Sequence, residues 1–354
     1  LGTLEKFETW GKPVSQWSFS NLSTRYWVGL SLLFLILPGA GSWGEVPATQ
    51  PVTAPVQTRD AIGTVTISDD DSAAVIRYTL DGSDPDKHSG RYLAPIELAQ
   101  GGLVKARAFS ADGKQASAVV DNRWPALPGS SPLPSSLVPV TQDRSAPGYV
   151  WADRHSAACA AMKQRNPQLI FVGDSITHFW GGEPRDYRMV GQKIWDQEFE
   201  KYNAVDLGFG WDRTENVLWR LGHGELDGAS PKAAVVMIGT NNLQLNTTDE
   251  IARGVTAVCD LIHSKLPKTH ILLLAIFPRG AKPDATREKV SAINAILARL
   301  DGKNNITFLD IGKTFLEPDG TISKQIMSDY LHPTLKGYDL WAKAMGPTLD
   351  KLMN

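Results

Sequence analysis

Cysteine is almost missing from this chain: its 354 residues hold two, Cys159 and Cys259. There is no Cys-x-x-Cys pair and no dense Cys/His group with ligand spacing, so no zinc site is encoded and neither metal nor cofactor is expected. A bridge between the two thiols needs a short separation that spacing alone does not fix. The simpler reading is two separate buried thiols. An excess of one charge is also missing. With 36 Lys and Arg against 38 Asp and Glu, the formal net charge is −2. No strongly basic face is implied, which disfavours nucleic acid as a partner. Finally, the apolar run from Trp27 to Leu37 falls well short of the roughly twenty residues that cross a bilayer.

That run has another reading. Arg25 precedes it, Lys6 and Lys12 lie upstream, and Pro38-Gly39-Ala40-Gly41-Ser42 follows. A basic flank, a short apolar core and small residues describe a secretory leader. Residues 1–45 are therefore expected to be a signal peptide and leader, cleaved near Ala40 to Trp43. The remainder would be secreted or periplasmic, with no stable membrane insertion after cleavage. A lipid-facing anchor that stays attached is the alternative.

Residues 46–124 read as a small all-β sandwich. Thr64 to Ile67, Val75 to Leu80 and Leu103 to Phe109 alternate at period two, and Asp81-Gly82 and Asp112-Gly113 mark turns. Asp69-Asp70-Asp71 lacks the spaced oxygens and glycine turn of a calcium loop and reads as a solvated acidic turn. Residues 125–149, with six prolines and several serines, read as a linker, extended enough to hold two domains apart.

From residue 150 to 354, strand and helix patterns alternate. The buried strands end in Gly173-Asp174-Ser175, Gly208-Phe209-Gly210, Gly239-Thr240-Asn241 and Phe277-Pro278-Arg279. Helices over 248–265 and 286–300 carry apolar residues on one face. Alternation of this kind gives a parallel sheet covered on both faces. Its strand ends share one rim, where such sheets bind ligands. Ser175 therefore stands where a nucleophile belongs, although a serine there can equally cap the next helix. Asp329 and His332, three apart on one loop before the last helix, can face the same rim. Together with Ser175 they make a nucleophile, a base and an orienting carboxylate.

Four blocks, Gly173-Asp174-Ser175, Gly208-Phe209-Gly210-Trp211-Asp212, Gly239-Thr240-Asn241-Asn242 and Asp329-Tyr330-Leu331-His332, resemble those of the SGNH (GDSL-type) hydrolases, in that family's order. Asn216 to Leu221, Gly224-Glu225-Leu226, Phe277 to Gly280 and Asp319 to Ser323 bring the resemblance close to the platelet-activating-factor acetylhydrolase catalytic subunits. The resemblance implies a three-layer α/β/α, flavodoxin-like fold. It also implies Ser175 as nucleophile, His332 as base then acid, and Asp329 as its partner. The oxyanion hole would use N–H groups of Ser175 and of Gly210 or Trp211, with the Asn241 amide. Asp174, Trp180 and Trp211 are expected around the cleft, with core packing as the alternative for Trp180 and loop support for Asp174. At Trp211 the sequence departs from the family, which has glycine there. A tryptophan walling the acyl pocket would favour acetyl esters. His155, His223, His263 and His270 read as surface or capping residues.

The β-segment Ile76 to Pro85, with Tyr92 and Val104 to Ala108, resembles the C-terminal sandwich domain of chitobiases and β-hexosaminidases. That implies an accessory domain of carbohydrate-active enzymes, with a plain spacer as the alternative. The expected activity is thus that of a secreted serine esterase acting on O-acetyl groups of carbohydrate. The alternatives are an acetylhydrolase of lipid or small esters and, in another class, a non-catalytic glycan-binding protein.

Overall fold

The computed structural model describes residues 51–130 and 133–354. The expected leader lies outside these. No helix among the described residues is long and apolar enough to cross a membrane.

The three period-two segments become β2, β3 and β6 of seven antiparallel strands: β1 (Val56–Arg59), β2 (Thr64–Ser68), β3 (Val75–Thr79), β4 (Gly90–Arg91), β5 (Ile96–Glu97), β6 (Gly102–Phe109) and β7 (Val120–Trp124). They form one sheet in the order β1-β2-β5 and a second in the order β4-β3-β6-β7. The alternate residues Val65 and Ile67 of one sheet and Tyr78, Val104 and Ala106 of the other share a buried core. This is the period-two rule: one face of each sheet is apolar and the other is wet.

The following half carries α1 (Trp151–Arg165), β8 (Leu169–Gly173), α2 (Ser175–His178), α3 (Gln192–Glu198), β9 (Val205–Gly208), α4 (Thr214–Arg220), β10 (Ala233–Met237), α5 (Thr248–Lys265), β11 (His270–Leu274), α6 (Ala285–Leu297), β12 (Ile306–Leu309) and α7 (Leu335–Met353). The five strands are parallel, in the order β12-β11-β10-β8-β9. Along β8, Ile170 and Val172 pack with α1, α4, α5 and α6, whereas Leu169 and Phe171 pack with α3 and α7. The sheet is therefore the middle of three layers, and its continuous apolar runs follow from burial on both faces. Because β9 and β10 flank β8 on opposite sides, the chain reverses direction around β8. That switch point opens a crevice at the C-terminal rim.

The linker differs from expectation. Residues 133–149 do not hold two bodies apart; they dock on both. Ser136 donates to the Glu250 carbonyl (2.7 Å), Val140 N–H to the Glu215 carbonyl (3.2 Å), and Asn216 Nδ2 to the Val140 carbonyl (2.9 Å). On the other side Thr141 N–H donates to the Tyr78 hydroxyl (3.1 Å), and Arg77 is ion-paired with Asp143. A Cβ on Gly90 would lie 2.7 Å from the Thr141 carbonyl oxygen, so the strap crosses the β-module where only glycine fits. Proline stiffens such a segment, but its free carbonyls and N–H groups still need partners, and both domains supply them. Cys159 and Cys259 are free, on α1 and α5.

Candidate active site

Ser175 stands at the first residue of α2, directly after β8. Asp174 caps that helix by accepting the Ile176 N–H (2.9 Å). A Cβ at Gly173 would meet Thr177 Oγ1 at 2.1 Å and the Met237 carbonyl oxygen at 2.5 Å. Glycine therefore sets the tight exit that presents the serine. Asp329 and His332 come from the loop before α7, and Thr334, two residues on, caps that helix by accepting the Gly337 N–H. In the same loop Asp329 Oδ1 accepts the N–H groups of Leu331 (3.1 Å) and His332 (2.8 Å).

The three side chains form a continuous relay. Ser175 Oγ lies 2.9 Å from His332 Nε2, and His332 Nδ1 lies 2.6 Å from Asp329 Oδ2. A carboxylate only accepts, so the Nδ1–H tautomer is fixed and Nε2 is left to take the serine proton. Partial burial pushes the Asp329 carboxyl up, but hydrogen bonds from His332 and Leu331 outweigh it and hold it below the usual range. Phe179 packs on the imidazole, with ring centroids 4.9 Å apart.

Beside Ser175 lies the β9–α4 loop. Among the described residues, the N–H groups of Ser175 and Gly210 have no hydrogen-bond partner. Asn241 reaches the same loop and gives one amide proton to the Asp212 carbonyl (2.9 Å), keeping a second for a ligand. Trp211 has φ of +61° and is 38% exposed. It thus occupies the left-handed region that glycine adopts freely and a bulky residue adopts at a cost of about 1–3 kcal/mol. The glycine-type backbone survives, and the indole is turned outward against Tyr149, with ring centroids 6.0 Å apart. Tyr330, between Asp329 and His332, has the same φ of +61°.

Two residues expected at the cleft are elsewhere. Trp180 is fully buried, in the core formed with Phe199, Tyr338 and Trp341. Its size drives it there, since an indole contributes most when wholly enclosed. Asp174 is likewise fully buried and supports the nucleophile turn; burial pushes its carboxyl up to about 7. His178 is also buried, bonded to Asp186 (2.8 Å), and burial lowers it to about 4.

Sequence reasoning missed a buried ionic network behind the loop. Arg220 is fully buried. Its Nε donates to Asp212 Oδ2 (2.7 Å), its Nη1 pairs with Glu225, and its guanidinium lies 3.8 Å from the centre of the Phe209 ring. Asp212 Oδ1 accepts from Trp151 Nε1 (2.8 Å) and Gln142 Nε2 (2.7 Å). His155 joins through Glu225 (3.0 Å), so it is no surface residue. Only the spacing Arg220 to Glu225, one turn and a kink apart, hinted at a pair.

This network gives a pH dependence of stability. Burial opposes a charge on His155, but its contacts with Cys159 and Glu225 prevail and raise it to about 9. An unfolded histidine titrates near about 6.5. The folded state therefore binds this proton more tightly. Its stabilisation is complete below that value and is lost as pH rises through about 9. Thermal melts should show stability falling by about 3 kcal/mol over this window. In His155→Gln the slope between these pH values should largely vanish, and an unchanged slope would refute the assignment.

A serine, an imidazole and a carboxylate in series at the switch point of a parallel three-layer sheet have the arrangement that serine hydrolases use, on an α/β/α fold. Comparison with known proteins gives the family. Residues 171–340 match the GDSL-like Lipase/Acylhydrolase family, and residues 56–121 match the Chitobiase/beta-hexosaminidase C-terminal domain. The chain is 36% identical over 204 residues to the human platelet-activating factor acetylhydrolase IB subunit alpha2, covering 57% of this chain and 83% of that protein. It is 34% identical over 227 residues to the bovine subunit alpha1, covering 64% and 90%. Among solved structures, a GDSL-like lipase from Bacteroides thetaiotaomicron is similar with a TM-score of 0.46 and 19% identity, covering 56% of this chain and 97% of that one. The chain belongs to the GDSL-like lipase/acylhydrolase family and is a carboxylic ester hydrolase.

Proposed function

We propose that the protein is an exported serine esterase that removes acetyl groups from carbohydrate. The observation that carries the chemistry is the relay at 2.9 and 2.6 Å from Ser175 through His332 to Asp329. Ser175 Oγ attacks the ester carbonyl while His332 Nε2 takes its proton, and Asp329 steadies the imidazolium. Negative charge builds on the carbonyl oxygen, which the N–H groups of Ser175 and Gly210 and the free proton of the Asn241 amide receive. His332 then protonates the leaving alcohol, and water, deprotonated by the same imidazole, releases acetate from the acyl-enzyme.

Trp211 supports a short acyl group. It takes the place of the family's glycine beside Gly210, in the loop that carries a candidate oxyanion donor. Turnover of p-nitrophenyl acetate is expected to exceed that of the octanoate. Trp211→Gly should shift that ratio toward octanoate by about tenfold or more; a native preference for octanoate would sink the short-acyl reading.

The carbohydrate assignment is supported by the β-module, whose family is that of chitobiases and β-hexosaminidases. Export is supported by the pattern around Trp27 to Leu37. The similarity to the acetylhydrolase subunits favours a second reading, an acetylated lipid or small ester as substrate. Acetate release from acetylated xylan, acetylated sialosides and an acetylated ether phospholipid separates the two. Preference for the phospholipid would overturn the first. A purely glycan-binding role is opposed by the intact relay.

A further inference from the structure

The docked linker puts one polar side chain against the candidate oxyanion loop. Gln142 is 9% exposed, and its Nε2 donates both to the Gly210 carbonyl (2.8 Å) and to Asp212 Oδ1 (2.7 Å). It therefore ties together the residues on either side of Trp211, the one residue of this loop held in the left-handed region. The Gly210 carbonyl has one other partner, the Tyr149 hydroxyl, at a marginal 3.5 Å. The flanking residues of Gln142 are fixed from the opposite side. Thr141 bonds the Tyr78 hydroxyl through its N–H and the Arg91 carbonyl through its Oγ1, and Asp143 pairs with Arg77 of β3. All of 141–143 are buried.

We propose that Gln142 is a positioning residue for the oxyanion loop, held in register by the N-terminal β-module. The module is then a structural part of the active centre and not only an appended glycan binder. The inference rests on the serine-esterase reading above. The physical argument is one of competing costs. A bulky residue at positive φ relaxes unless its neighbours over-determine it. Rotation of the Gly210–Trp211 peptide would turn the Gly210 carbonyl together with the Trp211 N–H and, through the Gly210 ψ, shift the backbone that carries the Gly210 N–H. An amide bonded simultaneously to the carbonyl before Trp211 and the carboxylate after it blocks that rotation. The clamp is neutral, so it leaves the charge balance of Asp212 with Arg220 undisturbed. Its hydrogen bonds go to Gly210, Asp212 and Arg144 and to none of Ser175, His332 and Asp329.

The test uses the full chain and p-nitrophenyl acetate, a substrate too small to need glycan binding. Rates are counted per serine labelled by a fluorophosphonate, so that unfolded protein does not enter. Gln142→Ala is expected to lower kcat by about ten- to a hundredfold, the range of a weakened oxyanion contact, with KM within about threefold. Gln142→Glu, which keeps the shape but loses the donor, should behave the same. Inhibition by trifluoroacetone should weaken in step with kcat, because its serine hemiketal places an anionic oxygen in the same hole. Arg77→Ala should give a smaller fall in kcat, and Arg77→Ala/Gln142→Ala should be no worse than Gln142→Ala alone, as expected of one coupled unit. Unchanged kcat per labelled site in both Gln142 variants would overturn the proposal, as would strictly additive losses. Ser175→Ala, run alongside and counted per folded protein because it has no serine to label, tells the two readings apart. If it retains full turnover, the esterase reading fails; if it is inactive while the Gln142 variants turn over normally, only the positioning role fails.

Discussion

Ser175→Ala is expected to lower kcat for p-nitrophenyl acetate by about 10⁴–10⁶-fold, with the folded protein otherwise intact. The size follows from the hydroxyl's role. Oγ is the atom that would form the acyl bond, and its one hydrogen bond goes to His332 Nε2 at 2.9 Å. Without it, the relay loses the oxygen that His332 activates and that would carry the acyl group. The small structural effect follows from the same geometry. The residue sits at the first position of α2, whose cap is the Asp174 carboxylate, and alanine keeps the N–H that faces the site. His332 remains held by Asp329 and Phe179. Thermal unfolding should shift by no more than about 2 °C, since less than about 1 kcal/mol is at stake. Undiminished turnover at an unchanged melting temperature would remove Ser175 as nucleophile. His332→Ala should cost nearly as much, and the double variant little more than either alone, because the pair acts as a unit.

Much of this site is legible in the sequence for a geometric reason. Leu169 to Val172 is apolar without alternation, which only a strand buried on both faces requires. Once the sheet is parallel, everything after a strand lies on one rim, so Ser175, Gly210 and Asn241 converge without knowledge of strand order. What sequence does not carry is burial at a distance. His155, Arg220 and Glu225 occupy helix or near-helix positions where charged residues usually meet solvent. That these three are enclosed is decided by Trp151, Trp219 and Phe209, which arrive from α1, α4 and the β9 loop to stack around them. The linker is the same problem in another form. Proline and serine describe how its backbone can run, not whether its carbonyls find partners, and Gln142 resembles any solvated loop glutamine until Gly210 and Asp212 are placed beside it. Trp180 errs in the opposite direction: a tryptophan after the nucleophile suggests a cleft wall, yet α3 and α7 leave it no exposed surface.

The largest effect on stability should come from Arg220→Met. Removing this side chain leaves Asp212 without its buried counter-ion and Glu225 with His155 alone. It also removes the donor to the Leu207 carbonyl (3.2 Å) and the cation over Phe209. Methionine fills most of the volume, so the cost is electrostatic and not that of a cavity. Breaking one half of a buried ion pair typically costs about 3–5 kcal/mol. Urea unfolding should register this as a lower midpoint at unchanged slope. Adding Glu225→Gln should return part of the loss, because a neutral amide no longer demands a cation yet still faces His155. If Arg220→Met stays within about 1 kcal/mol of the native protein, the network is not what holds the loop. If it destabilises as expected, activity per folded molecule should fall as well. Asp212 is fixed by Arg220 on one carboxylate oxygen and by Trp151 and Gln142 on the other, and its carbonyl receives the Asn241 amide. The charge that stabilises the fold thus also sets where a candidate oxyanion donor stands, and a variant that moves Asp212 moves Asn241 with it.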